Sequence, residues 1–275
     1  VRDFVKWDDQ PASVESIIDS MLRAYQLITT APYGPAYLCF DAGLQESTLE
    51  SPPTLPDVSL FERATPPAAD PAALAKAADM LVDARNPVAV VDYLGNDHAV
   101  GGVIRLAESL GMAVIDMGDL FNFPSDHPLN LTTAATDLLS EADVILSLNA
   151  FDLEQALSTT DRTSRLPIPG IPSGSQVIDI SLRGYGIRAW GQTYGKLYPL
   201  NLNITADPDG AVNALADLIR QRGPVAGAIE RTARHSTRHA ELRQAAKEQA
   251  LASIKDGRIS RQYLGLQTWE AIKGY

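Results

Sequence analysis

Apolar positions recur at three- and four-residue spacing through residues 11–29, "PASVESIIDSMLRAYQLIT", where Ile17, Ile18, Met21, Leu22, Tyr25 and Ile28 would line one side of a helix capped by Ser13. A turn built on Pro32 and Pro35 leads into "PAYLCFD", residues 35–41, which reads as a strand. Upstream of residue 30 the pattern supplies only that one helix. One helix and one strand cannot enclose a core, and unpaired backbone groups are costly to bury. The strand is therefore expected to belong to a sheet that lies mostly outside this chain.

Residues 51–71, "SPPTLPDVSLFERATPPAADP", are proline-rich and aperiodic, which predicts an extended connector. The pattern then becomes regular. Helical periodicity over residues 72–84, 97–110, 134–142 and 208–220 alternates with short apolar runs at 88–91, 112–118, 143–150, 175–182 and 200–205. Those runs are apolar on successive residues rather than on alternate ones, as strands covered by helices on both faces must be. The fold class predicted is α/β: a doubly wound, Rossmann-like parallel sheet, with a helix and strand before it and helices after it. Beyond Pro224 a long arginine-rich helix runs to about residue 255, and "DGRISRQYLGLQTWEAIKGY" then opens another helical element.

Composition narrows the classes of function. The chain has 275 residues, 45% hydrophobic and 21% charged, ordinary values for a globular protein. No stretch approaches the run of about 18 apolar residues that a membrane helix needs. No membrane partner and a cytoplasmic location are therefore expected. A net charge of -11 disfavours phosphate backbones, so nucleic acid is not an expected partner. The single cysteine, Cys39, rules out an internal disulfide and a Cys-based metal cage, and its place in an apolar run predicts a small buried hydrophobe.

Candidate chemistry is sparse. Ligands of an open parallel sheet sit beyond the carboxyl ends of strands where the strand order reverses. The positions concerned are 92–96, 117–120 and 149–152. Tyr93, Leu94, Gly95 and Asn96, together with Asn149 and Ala150, form a candidate nucleotide-binding set, because backbone N–H groups and a helix N-terminus there could face a phosphate. The Gly-x-Gly-x-x-Gly fingerprint is missing, since Gly95 is followed only by Gly101 and Gly102, so a plain reversing turn is the simpler reading. His235 and His239 share a helix face at metal-ligand spacing, but Arg231, Arg234, Arg238 and Arg243 around them repel a cation and mark a solvated face. His127, in "FNFPSDHPLN", lacks a nucleophile motif nearby, and the segment reads as a rigid loop that packs Phe121 and Phe123. "PIPGIPSGS", residues 167–175, reads as a connection rather than a substrate loop. No catalytic residue and no metal ligand is assigned.

The order of segments resembles the thiamine-diphosphate-dependent enzymes related to acetolactate synthase and benzoylformate decarboxylase. "RAYQLITTAPYGPAYLCFDAGLQE" is similar to the end of the family's pyrimidine-binding domain, and "AKAADMLVDARNPVAVVDYLG" with "LAESLGMAVID" to the opening of its central domain. "FNFPSDHPLN" and "LLSEADVILSLNAFD" resemble later parts of that domain, and "DGRISRQYLGLQTWEAIK" the approach to the diphosphate-binding domain. The resemblance implies that residues 1–50 end one domain, 51–70 link, 71–223 form the central domain, 224–255 form a linker helix and 256–275 begin the next.

It further implies a full-length parent, a transferase or lyase, that uses thiamine diphosphate and magnesium for carboligation or decarboxylation of a 2-oxo acid. In the family, an early glutamate activates the cofactor and a Gly-Asp-Gly motif holds the metal. Here Gly118-Asp119 is followed by Leu120, so this chain by itself is expected to bind no cofactor and to be inactive. Some relatives carry FAD or another adenine nucleotide in the central domain, but the usual glycine-rich turn is replaced by Asp92-Tyr93-Leu94-Gly95, which disfavours FAD. The expected partners are the flanking domains and further copies of the chain. The competing expectation is a stand-alone nucleotide-binding or regulatory module.

Overall fold

The computed structural model describes residues 1–94, 96–118, 120–185, 197–254 and 258–274. The chain opens with a small parallel unit: β1 (Trp7–Asp9), α1 (Val14–Thr29) and β2 (Ala36–Leu38). Ser13 caps α1 through a reciprocal pair with Ser16, which is why the helix starts at Val14 and not at Pro11. Lys6 Nζ reaches the carbonyls of Leu27 and Thr30 at the other end, where a helix carries partial negative charge.

Two expectations are corrected here. β2 does have a partner upstream, since Trp7, Asp8 and Asp9 pair in parallel with Ala36, Tyr37 and Leu38. A three-residue strand flanked by charges is too short to show in a periodicity. Cys39 is exposed rather than buried, because it lies one residue past the strand and only its backbone N–H is engaged, on Asp9. The helix α2 (Ala42–Glu46) follows, and residues 47–70 contain one 3-10 turn at Val58–Leu60 and are largely exposed.

The regular region begins with α3 (Pro71–Val82), which Asp70 caps and Pro71 starts. The next elements are β3 (Pro87–Val91), α4 (Asp97–Leu110), β4 (Ala113–Asp116), α5 (Ala135–Glu141), β5 (Val144–Leu148) and the single turn α6 (Leu153–Ala156). A small antiparallel pair, β6 (Ser158–Thr160) with β7 (Pro167–Pro169), precedes β8 (Gln176–Ser181), β9 (Leu202–Thr205) and α7 (Pro208–Arg222). Part of the segment read as a plain connection is thus a strand, and its two prolines sit on a two-stranded edge where a missing donor is tolerated.

The main sheet has the order β4-β3-β5-β8-β9, all parallel. Every residue of β3 and β5 is buried, as the unbroken apolar runs require. Leu81, Val103, Leu106, Leu146, Ile178 and Ile219 pack on one face with α3, α4 and α7; Val88, Val90, Ile115, Leu139, Ile145 and Val177 pack on the other. Each such fully covered aliphatic side chain contributes about 1.5–3 kcal/mol. α4 and α7 cross closely at Gly102, where a Cβ would lie 2.7 Å from Asn213 Oδ1 and 2.9 Å from Val212 Cγ1.

The long helix α8 (Ala228–Ala252) and α9 (Arg261–Ile272) complete the chain. The solvated face expected around His235 holds at Arg234, Arg238 and Arg243, which are exposed, but not at Arg231 or His235 itself. Arg231 and His235 are buried, and Arg231 donates to the carbonyls of Leu110, Ala84 and Ala226. The guanidinium therefore meets the carbonyl ends of α3 and α4, where partial negative charge gathers, and needs no carboxylate. Gly111, left-handed at φ 58°, lets the chain pass beneath Ala228, whose carbonyl oxygen would be 2.3 Å from any Cβ.

Candidate functional site at the strand switch point

Strand order reverses between β3 and β5, so the crevice where such sheets take ligands lies beyond their carboxyl ends. Both strands leave the sheet through a left-handed residue, Tyr93 at φ 48° and Asn149 at φ 57°. Asparagine tolerates that conformation, whereas a tyrosine there costs about 1–2 kcal/mol and must be held by its surroundings. The holding contacts are visible. Asn149 Nδ2 donates to the Tyr93 carbonyl at 3.1 Å, and the Phe151 N–H donates to the buried Asp92 carboxylate at 3.2 Å.

Arg183, two residues past β8, closes the group. Its Nε donates to the Asn149 carbonyl at 2.9 Å, and its guanidinium carbon lies 4.4 Å from the centre of the Tyr93 ring and 4.3 Å from that of Phe151. The two ring centres are 6.1 Å apart and the planes are tilted by 42°, so the guanidinium sits in the notch between them. Each such contact is worth about 0.5–1 kcal/mol at a partly exposed position. Below it on β5 and β8, the Asp179 carboxylate accepts from Ser147 Oγ and Ser181 Oγ, both at 2.7 Å. Burial pushes the Asp179 carboxyl above its ordinary range, against the two hydroxyls and the charge of Arg183.

Of the six residues singled out in the sequence, the structure describes five. Tyr93, Asn149 and Ala150 are at the two strand ends. The Leu94 N–H is taken by Asn122 Oδ1 at 2.8 Å, and Asn96 caps α4 through the N–H of Ala99. Gly95 lies outside the described residues. Two of the backbone donors available to a phosphate are thus already bonded to side chains, and Asp97 in the first turn of α4 opposes an anion. Asn122 and Arg183 were missed. Arg183 was detectable, because it too follows a strand, one place over from the switch point.

The remaining candidates have structural roles. His127 stacks edge-on against Phe123 at 4.8 Å and accepts from the Leu129 N–H at 3.1 Å, which agrees with the packing role, although Phe121 is exposed rather than packed. His239 Nδ1 lies 2.7 Å from the Asn130 carbonyl, and burial, Arg234 and Arg231 together push the His235 imidazole down to about 4. Neither histidine offers a metal ligand pair. Among the described residues no three His, Cys, Asp or Glu side chains come together to hold a metal ion. Asp119 lies outside those residues, and the neighbouring Asp116 carboxylate already accepts from Gly118, Asn122 and Phe123. The residues described thus do not fit a magnesium–diphosphate site.

What this fold and crevice define is a doubly wound α/β domain whose switch point is lined by its own side chains. No established family profile matches the chain. It is 31% identical over 209 residues to a Rhizobium meliloti (strain 1021) protein named "Probable sulfoacetaldehyde acetyltransferase", which covers 69% of this chain and 31% of that protein. By structure it is similar to a candidate thiamin diphosphate-dependent enzyme from Mycobacterium smegmatis, with a TM-score of 0.58, 22% identity, and coverage of 78% of this chain and 39% of that one. Benzoylformate decarboxylase from Polynucleobacter necessarius gives a TM-score of 0.56 and 20% identity over 78% and 38% of the two chains. The chain therefore spans between about a third and two-fifths of the length of the proteins it matches. At 22% and 20% identity the solved structures show a shared fold, and one of them carries the description of a thiamin diphosphate-dependent enzyme.

Proposed function

We propose that residues 71–223 act as the central, non-catalytic domain of a thiamine-diphosphate-dependent enzyme, with residues 1–50 and 256–275 belonging to its pyrimidine- and diphosphate-binding domains. The full enzyme carries out carboligation or decarboxylation of a 2-oxo acid, with magnesium holding the cofactor. What supports this reading is the five-stranded parallel sheet, the fold shared with a thiamin diphosphate-dependent enzyme, and the 31% identity to a protein named as a probable sulfoacetaldehyde acetyltransferase. The apolar faces left open on α1, at Met21 and Tyr25, and on α9, at Leu264 and Ile272, suit contact with those domains or with another copy of the chain. Among the described residues no helix is long and apolar enough to cross a membrane.

The test is calorimetric titration of this chain with thiamine diphosphate and Mg²⁺. The reading expects no saturable heat, because the groups that fold and ionise the cofactor are not among these residues. Saturable binding to the chain alone would contradict it. The competing reading, a stand-alone nucleotide-binding module, requires an open switch point. The bonds that Tyr93, Asn149 and Arg183 make with one another count against that.

A further inference from the structure

Reading residues 71–223 as a central domain leaves open what its ligand crevice holds. The crevice has a ready occupant. Arg183 is anchored through Nε on the Asn149 carbonyl, Asn149 in turn holds the Tyr93 carbonyl, and the guanidinium rests against both the Tyr93 and the Phe151 rings. These contacts form a closed circuit across the carboxyl ends of β3 and β5, which is the place a doubly wound sheet offers to a ligand. A guanidinium is flat, delocalised and cationic, so it stacks on aromatic faces much as a heteroaromatic base does.

We infer that Arg183 is a built-in occupant of the switch-point crevice, which shuts an adenine nucleotide out of the domain unless the guanidinium is displaced. Three observations converge on this. The two aromatic surfaces a planar ring would use are both turned to Arg183, at 4.4 and 4.3 Å. The donors a phosphate would use are partly taken, Leu94 N–H by Asn122 and Ala99 N–H by Asn96. The buried Asp179 carboxyl interacts favourably with the charge of Arg183, which helps to hold the cation where it sits.

The inference deepens the central-domain reading, and the two can fail separately. Titration with thiamine diphosphate tests the domain assignment, whereas titration with ADP and with FAD tests the occupant. The unaltered chain is expected to give no saturable heat with ADP or FAD up to about 1 mM. Arg183→Ala is expected to bind ADP roughly tenfold or more tightly than that limit, because it frees both rings. Micromolar binding of either nucleotide by the unaltered chain overturns the inference, and so does a folded Arg183→Ala with no gain. Should Arg183→Ala not fold, Arg183→Lys decides the matter. It keeps the charge but loses the flat group and the anchored Nε, so a gain in ADP binding supports the inference and no gain overturns it.

Discussion

Two β–α–β arrangements of this chain, β1-α1-β2 and β3-α4-β4, differ in cover rather than in pattern. In the first, β1 and β2 pair over three residues, and α1 buries only Ser20 and Ala24 while Met21 and Tyr25 remain 57% and 55% exposed. In the second, β3 is buried along its whole length, β4 over its first three residues, and α4 buries seven positions, among them Val103, Leu106 and Leu110. The apolar stripe on α1 is as regular in sequence as that on α4. An amphipathic pattern states that a face needs cover; it does not supply the cover. Stability should therefore reside in the second arrangement, with the first contributing little.

The sharpest way to break that comparison is a matched pair of truncations. Leu106→Ala removes a side chain with no exposed surface and is expected to lower unfolding stability by about 2–5 kcal/mol, through lost burial plus the cavity left behind. Met21→Ala, on the open face of α1, should stay within about 0.5 kcal/mol. Urea denaturation of the two variants beside the unaltered chain measures both, and equal costs would end the distinction.

Acid tests the docking of α8. Burial and the charges of Arg234 and Arg231 hold the His235 imidazole at about 4, below its ordinary value of 6.5. Above pH 6.5 the residue is neutral whether the chain is folded or not, and it contributes no pH dependence. As the pH falls from 6.5 towards 4, the unfolded chain takes up a proton that the folded one refuses, so folding is weakened, by about 3 kcal/mol at most. Below pH 4 the penalty is constant. His235→Gln should remove this part of the pH profile, seen as a difference between the two unfolding curves that opens only below pH 6.5.

The smallest effect sharpens the same contrast at two helix starts. Asp70→Ala takes the cap from α3, whose side chain accepts from the Ala73 N–H at 2.8 Å, and should cost about 1 kcal/mol of global stability. Ser13→Ala removes the cap of α1 and should leave the main unfolding transition where it was, with its effect confined to faster exchange of the first-turn amides of α1.

Much of the fold could be read from local chemistry. α4 was expected at residues 97–110 and is found there, because Asn96 offers an N-cap and Gly111 a left-handed stop. The strands of the main sheet were legible as continuous apolar runs, since cover on both faces removes the polar alternation. What was not legible depends on partners distant in sequence. β1 is three residues long and is recognisable only through β2. The arginines around His235 looked like a solvated face because charge suggests water, and nothing local announces that Arg231 will meet carbonyls at the ends of two other helices. At the crevice, both strand ends were found from the switch-point rule, yet Arg183 belongs to a neighbouring strand end and enters only through its side-chain reach.

Amide hydrogen exchange resolved by residue tests the contrast most directly. The account predicts that amides of β3, β5 and β8 exchange only through global unfolding, while those of β1 and β2 exchange orders of magnitude faster through local opening that leaves the main sheet intact. Equal protection of the two sheets, lost together in one cooperative step, would contradict it.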